Sequence, residues 1–262
     1  MKHFVSLNLQ NVPEQPLQRW HTATLLGHPQ ARKLCKEWLT QQLYHNINNC
    51  FEVFSCTRMN EEFYGIDVDV FDEGLKCTEM MQQIWPGTMP SCKHFFQHHT
   101  ASLIFLDPTR ISTETTENTR LYRKITDEGV FFNILQGNFV EADRFVVVLR
   151  QIENDEEFNS EPYRQRHNMT WLDIRPLSET HVVFSAVSQS SQFFREGQGF
   201  VILGEQARTW NIDLTGVPNE KKLDYFRSQH IHQEYKGYSE WRQRIQQVIT
   251  KTCSTKVAPM SC

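Results

Sequence analysis

No C-x-x-C pair occurs in this chain of 262 residues, and its seven cysteines, at positions 35, 50, 56, 77, 92, 253 and 262, are an odd number. A disulfide framework needs an even, regularly spaced set in an oxidising compartment, so reduced thiols and a cytoplasmic or nuclear location are expected. Long apolar runs are missing too. None approaches the ~18 residues of a membrane-spanning helix, and the opening MKHFVSLNLQNVPEQPLQRW lacks the continuous apolar stretch of a secretory signal. The chain has no Gly-rich phosphate loop, no nucleophile elbow and no HExxH pair. That removes the simplest routes to nucleotide chemistry, serine hydrolysis and zinc proteolysis, and no cofactor is expected. Positive charge is not in excess either: 27 Lys and Arg stand against 31 Asp and Glu. A global pull toward nucleic acid is therefore absent, and no nucleic-acid partner is expected.

What the chain does have is aromatic mass: 18 Phe, 7 Tyr and 6 Trp, enough for a large core or an apolar cavity. Its length suits one domain with decorations. Residues 1–30 carry Pro13, Pro16, Gly27 and Pro29 without periodicity and read as an irregular lead-in. From Ala31, the residues Leu34, Cys35, Trp38, Leu39, Leu43 and Ile47 recur at three- and four-residue steps, which predicts an amphipathic helix to about Asn49. FYGIDVDVFDEG (63–74) alternates with period two and predicts a half-exposed strand ending in a turn. LKCTEMMQQIW (75–85) reads as a short helix stopped by Pro86-Gly87, SLIFL (102–106) as a strand, and STETTENT (112–119) as a polar loop.

The middle of the chain changes character. RLYRKI (120–125), VFFNIL (130–135), RFVVVLR (144–150), MTWLDIR (169–175) and THVVFSAV (180–187) follow one another through short, turn-rich connectors. This spacing predicts an antiparallel meander rather than alternating strands and helices. The last third reads as three helices, 199–210, 219–230 and 239–249, with Asn219 and Ser239 as N-caps, and residues 251–262 as a flexible tail. The predicted fold class is α+β: a curved antiparallel sheet gripping helices, in a single domain over 31–250.

Two histidine groups raise catalytic readings. HTAT (21–24) and HHTAS (98–102) have the separation of a two-histidine phosphoesterase, in which one His acts as base and the other as acid. The hydroxyl after His21 falls at the wrong offset, so surface histidines are the preferred reading. HIHQEYKGY (230–238) holds a His-x-His pair, with Tyr235, Tyr238 and Glu234 close by. Metal-dependent nicking of DNA needs that pair on a strand and the Tyr on another element, and structural zinc spacing is absent, so a solvated helix end is preferred and no metal is expected.

Several segments carry a family resemblance: LYHNINNCFEVF (43–54), FYGIDVDVFDEG before Trp85, LYRKITDEGVFFNIL (121–135), RFVVVLRQIENDEEF (144–158) and MTWLDIRPLSETHVVFSAV (169–187). Over about residues 31–190 the layout resembles the START-like, helix-grip superfamily, with mating-specific proteins of water moulds as the nearest suggested relatives. One departure is that the family ends in one long helix, whereas this chain reads as three. The resemblance implies binding of a lipid or other hydrophobic small molecule without catalysis, and transient contact with a membrane during loading; it names no protein partner. The ligand-facing candidates are Phe132, Phe145, Val147, Leu149, Arg150, Leu172, Phe184, Leu203 and Trp210. An inward Arg150 would need a partner and could hold an anionic headgroup. The alternatives are a regulatory protein whose cavity is filled by side chains and a two-histidine hydrolase.

Overall fold

Val146, Val147 and Val148 are consecutive in one strand and all three are buried, so both faces of that strand are covered. The computed structural model, which describes residues 22–54, 57–71 and 74–254, shows what covers them. The chain opens with β1 (Thr24–Leu25), α1 (Pro29–His45) and α2 (Ile47–Cys50), then a long hairpin of β2 (Phe63–Phe71) and β3 (Gly74–Pro86). Two helices follow, α3 (Met89–His98) and α4 (Thr100–Ile104). The meander is β4 (Ser112–Thr116), β5 (Thr119–Ile125), β6 (Phe131–Val140), β7 (Phe145–Gln151), the short β8 (Asn154–Asp155), β9 (Asn168–Pro176) and β10 (His181–Ser191). A small hairpin, β11 (Phe194–Arg195) and β12 (Gly199–Phe200), leads to α5 (Leu203–Thr209) and α6 (Lys222–Ser254).

Eight of these strands make one curved antiparallel sheet in the order β2-β3-β10-β9-β7-β6-β5-β4, and the fold is α+β. Alternation along β7 assigns its two faces. Val146 and Val148 pack with Trp171, Met80 and the α1–α2 residues Leu43 and Ile47. Phe145, Val147 and Leu149 pack with Phe95 and Phe96 of α3 and with Ile245 and Ile249 of α6.

The approach of α1 to the sheet depends on one small residue. A Cβ at Gly137 of β6 would come 2.5 Å from the Thr40 Cβ and 2.8 Å from its Cγ2. Gly137→Ala therefore has to push α1 outward, and a stability loss of roughly 1–3 kcal/mol is expected in urea denaturation. An unchanged midpoint would show that the helix does not press on this strand.

Several sequence expectations are corrected. Residues 75–85 are not a helix: β3 is hydrogen-bonded along both edges, to β2 and to β10. Two flanking ladders outweigh a weak local helical spacing. Residues 102–106 are not a strand, because Thr100–Ile104 form α4, tied to α3 where the Thr100 hydroxyl donates to the Phe96 carbonyl at 2.7 Å. The polar loop at 112–119 is the β4–β5 hairpin, whose polarity suits an edge strand.

The helices at 219–230 and 239–249 are one, the 33-residue α6, about 50 Å long. Gly237 and Ser239 look like a break in sequence, but buried Phe226, Ile245 and Ile249 hold the helix to the body on both sides of them. Lys251–Ser254 continue α6 rather than starting a tail. Finally, Leu34 and Trp38 of α1 face outward, 64% and 57% exposed, while Arg32 and Lys36 are buried. Carboxylates on the sheet side claim those two cations, which rotates the helix away from its apolar periodicity.

The lead-in is ordered from its end onward: β1 pairs in parallel with β8, and Ala23 and Leu25 are buried. The rest of it, residues 1–21 including His21, and residues 255–262 of the tail lie outside the described residues. No described helix is long and apolar enough to cross a membrane.

Candidate functional site

Side chains at alternate positions of one strand point to one face, so a pocket built on a sheet takes its character from strand register. On the face toward α6, β10 contributes Phe184, Ala186 and Ser188, β9 contributes Thr170 and Leu172, and β3 contributes Glu79 and Met81. Register places Met81 opposite Ala186 and Ala186 opposite Leu172, which gives an apolar row. The neighbouring row is polar: Glu79 lies opposite Ser188 and Ser188 opposite Thr170, with the two hydroxyls 3.0 Å apart. The result is a pocket of about 460 Å³ between the sheet and α6, a size within the usual range for small-molecule sites.

Beyond the polar row, register sets Leu149 opposite Thr170 and Ile134 opposite Gln151, and the lining runs on through Phe132 to Leu103 and Ile104 of α4 and Trp241 of α6. The polar end gathers Tyr64, Arg166, Asn168, Gln151 and the α6 residues Gln233 and Glu234. Burial pushes the Glu79 carboxyl up to about 7, helped by the charge of Glu234 and opposed by Arg166 and by a hydrogen bond with Tyr64. Burial also raises the Tyr64 phenol, and both glutamates add to the effect.

Several contacts fix α6 as the roof. Gln83 donates to the Tyr238 hydroxyl at 2.9 Å and accepts from Trp85 Nε1 at 2.8 Å, so a buried amide links the core to the helix. Trp241 Nε1 donates to the Leu103 carbonyl at 3.2 Å. Arg244 donates to the Ser102 and Phe105 carbonyls, both at 2.8 Å, at the otherwise open C-terminus of α4. Tyr64 stacks on Tyr238, ring centres 4.0 Å apart.

Of the nine residues singled out in sequence, Phe132, Leu149, Leu172, Phe184 and Trp210 line this pocket. Phe145 and Val147 share the same sheet face but pack into the core under α3. Leu203 belongs to a separate cluster with Leu75, Ala207, Ile212 and Phe226. Arg150 projects on the opposite, α1-side face by the alternation that sends Leu149 to the pocket; burial lowers its pKa, against the charge of Glu153. The idea of Arg150 as a headgroup anchor inside the pocket does not hold.

Glu79, Arg166, Tyr64, Glu234, Tyr238 and Trp241 are not among the nine, although the sequence raises Glu234 and Tyr238 as companions of the His-x-His pair. For Glu79 a signal existed: read as a strand, 77–85 places one carboxylate among Cys77, Met81 and Trp85 on a single face. Neither histidine reading survives the geometry. His98 ends helix α3 instead of lying on a strand. His230 is buried inside α6, its ring 4.3 Å from that of Trp210 and its Nε2 3.3 Å from Glu234, rather than at a solvated helix end.

No protein-family model matches the chain, and no curated protein matches it. Solved structures do. Human STARD10 matches at 8% identity over 70% of this chain and 82% of that one, with a TM-score of 0.36. The human StarD13 (DLC2) lipid transfer and protein localization domain matches at 12% identity over 63% and 89%, with a TM-score of 0.35. A STAR-related lipid transfer protein from Xanthomonas axonopodis matches at 7% identity over 64% and 99%, with a TM-score of 0.34. In outline, then, the chain is similar to START-type structures, and any function has to be argued from the pocket itself.

Proposed function

We propose that this chain is a START-like, single-domain protein over about residues 31–250 that binds a hydrophobic small molecule or lipid in the pocket under α6, without chemistry. The observation that carries this reading is the pocket of about 460 Å³, with an apolar row from Met81 to Leu172 and Phe184 at one end and polar groups at the other. A half-open, mostly apolar recess with a few polar groups suits an amphiphile lying lengthwise. Leu106, on the rim just beyond α4, is 84% exposed and offers apolar surface where a chain would enter or where the protein would touch a membrane. Kinship with the water-mould mating-specific proteins is part of the reading and rests on the sequence segments alone.

The test is direct. Organic-solvent extraction of the purified chain, with mass spectrometry of the extract, should yield a single-chain or sterol-like molecule. Ala186 forms part of the pocket floor. Ala186→Phe should fill that floor and weaken binding of a neutral probe, dodecanol, by about tenfold or more in calorimetry. Equal binding by the folded variant would place the ligand elsewhere, and no binding of dodecanol by the parent chain would reject the pocket as an apolar site.

A further inference from the structure

The polar end of the pocket is not neutral. Glu79 from β3 and Glu234 from α6 both line it, against a single guanidinium, that of Arg166. Counting those three groups alone, and with Glu79 ionised, two negative charges face one positive. The Arg166 guanidinium carbon also lies 5.7 Å from the centre of the Phe193 ring, so an aromatic face shares that cation with the carboxylates. Aromatic rings line the same pocket: Tyr64, Tyr238 and Trp210, with Trp241 farther off beside α4. Rings present a negative face to a cation, and the effect is largest where water is excluded.

We infer that the pocket selects an amphiphile with a protonated amine head, held between Glu79 and Glu234 beside the Tyr64–Tyr238 pair, with its hydrocarbon tail along the Met81–Ala186–Leu172 row. This rests on the proposed ligand pocket and adds the charge of the occupant. It also reverses the sequence-level expectation of an anionic head. A carboxylate or phosphate brought here would meet two like charges in a poorly solvated recess, whereas an ammonium supplies the charge that Arg166 leaves uncompensated.

Proton linkage follows from the same geometry. The groups facing Glu79 are Tyr64 on β2, Cys77 on its own strand, Arg166 ahead of β9 and Glu234 on α6, with His230 behind Glu234. Because Glu79 holds its proton up to about pH 7, an incoming ammonium displaces that proton. Amine binding therefore strengthens as pH rises through that value and releases a proton just below it.

Dodecylamine, laurate and dodecanol share one tail and differ in head charge, so calorimetry with the full chain separates the contributions. One pH unit above the Glu79 midpoint, the amine should bind about tenfold or more tightly than laurate. Glu79→Gln and Glu234→Gln should each reduce amine affinity by about tenfold while leaving dodecanol within about twofold. Repeating the titration below that midpoint in buffers of different ionisation enthalpy should reveal a released proton, absent in Glu79→Gln. Laurate binding as tightly as the amine, or dodecanol binding with no preference for the amine, would overturn this inference and leave the pocket standing. Failure of all three probes would remove both.

Discussion

Asp155→Ala is expected to lower unfolding free energy by roughly 3–5 kcal/mol, a large share of the ~5–15 kcal/mol that holds an ordinary domain. Asp155 receives both terminal nitrogens of Arg32, at 2.7 and 3.0 Å, one from Arg123 at 2.7 Å, and the amide of Asn133 at 3.1 Å. Arg32 is only 3% exposed, so removing its partner strands a buried cation. Glu114, which accepts from Arg32 Nε and from Lys36, still holds part of that charge and limits the loss. Urea denaturation is the measurement; a change below about 1 kcal/mol would mean that Arg32 escapes to water at little cost.

The same carboxylate predicts a slope in acid. Burial pushes Asp155 upward, but hydrogen bonds from Arg32 and Asn133, the Glu157 amide and the Arg32 charge outweigh it and hold the carboxyl at about 2. A depressed folded value means a stabilising contribution that is complete above the unfolded pKa of ~4 and lost as pH falls from there through about 2. Asp155→Asn should flatten the stability profile within that window and leave its shape at neutral pH unchanged.

Trp171→Ala carries the second large effect, also roughly 3–5 kcal/mol. The ring is fully buried on the α1 side of β9, within the cluster of Val146, Val148, Leu43 and Ile47. Its Nε1 donates to the Leu43 carbonyl at 2.9 Å, near the end of α1. Trp171→Phe keeps most of the apolar volume and loses that hydrogen bond, so a smaller loss of about 1–2 kcal/mol is expected. The difference between the two variants measures packing against anchoring. Equal losses would assign the whole effect to the hydrogen bond.

Much of the sheet was legible because strand alternation is a local property. In 144–150, 169–175 and 180–187 apolar residues fill both faces, and each became a central strand. The segment at 75–85 misled for an equally physical reason. Its spacing satisfies both periods, and only the ladders to β2 and to β10, about a hundred residues away, settle the matter. The end of the chain failed in the other direction: Gly237-Tyr238-Ser239 has the composition of a break, yet packing on both sides carries α6 straight through it.

The candidate site divides along the same line. Leu149, Leu172 and Phe184 could be named in advance because an inward apolar residue announces itself. Arg166 and Glu234 could not, since a lone charge in sequence looks the same whether it faces water or a pocket. The polar row exists only because register sets Glu79 beside Ser188 and Ser188 beside Thr170, and because α6 then lays Glu234 across them.

By itself, the order of residues determined which segments are β-structure in the middle of the chain, the α+β class and the apolar supply of the interior. The tertiary structure alone decided that α1 turns Arg32 and Lys36 inward, that the segments at 219–230 and 239–249 are one helix, and that the pocket has a charged end. The physical reason is range. Side-chain alternation and helical period act over a few residues, whereas strand register and the meeting of charges from distant segments arise only when the sheet closes around α6.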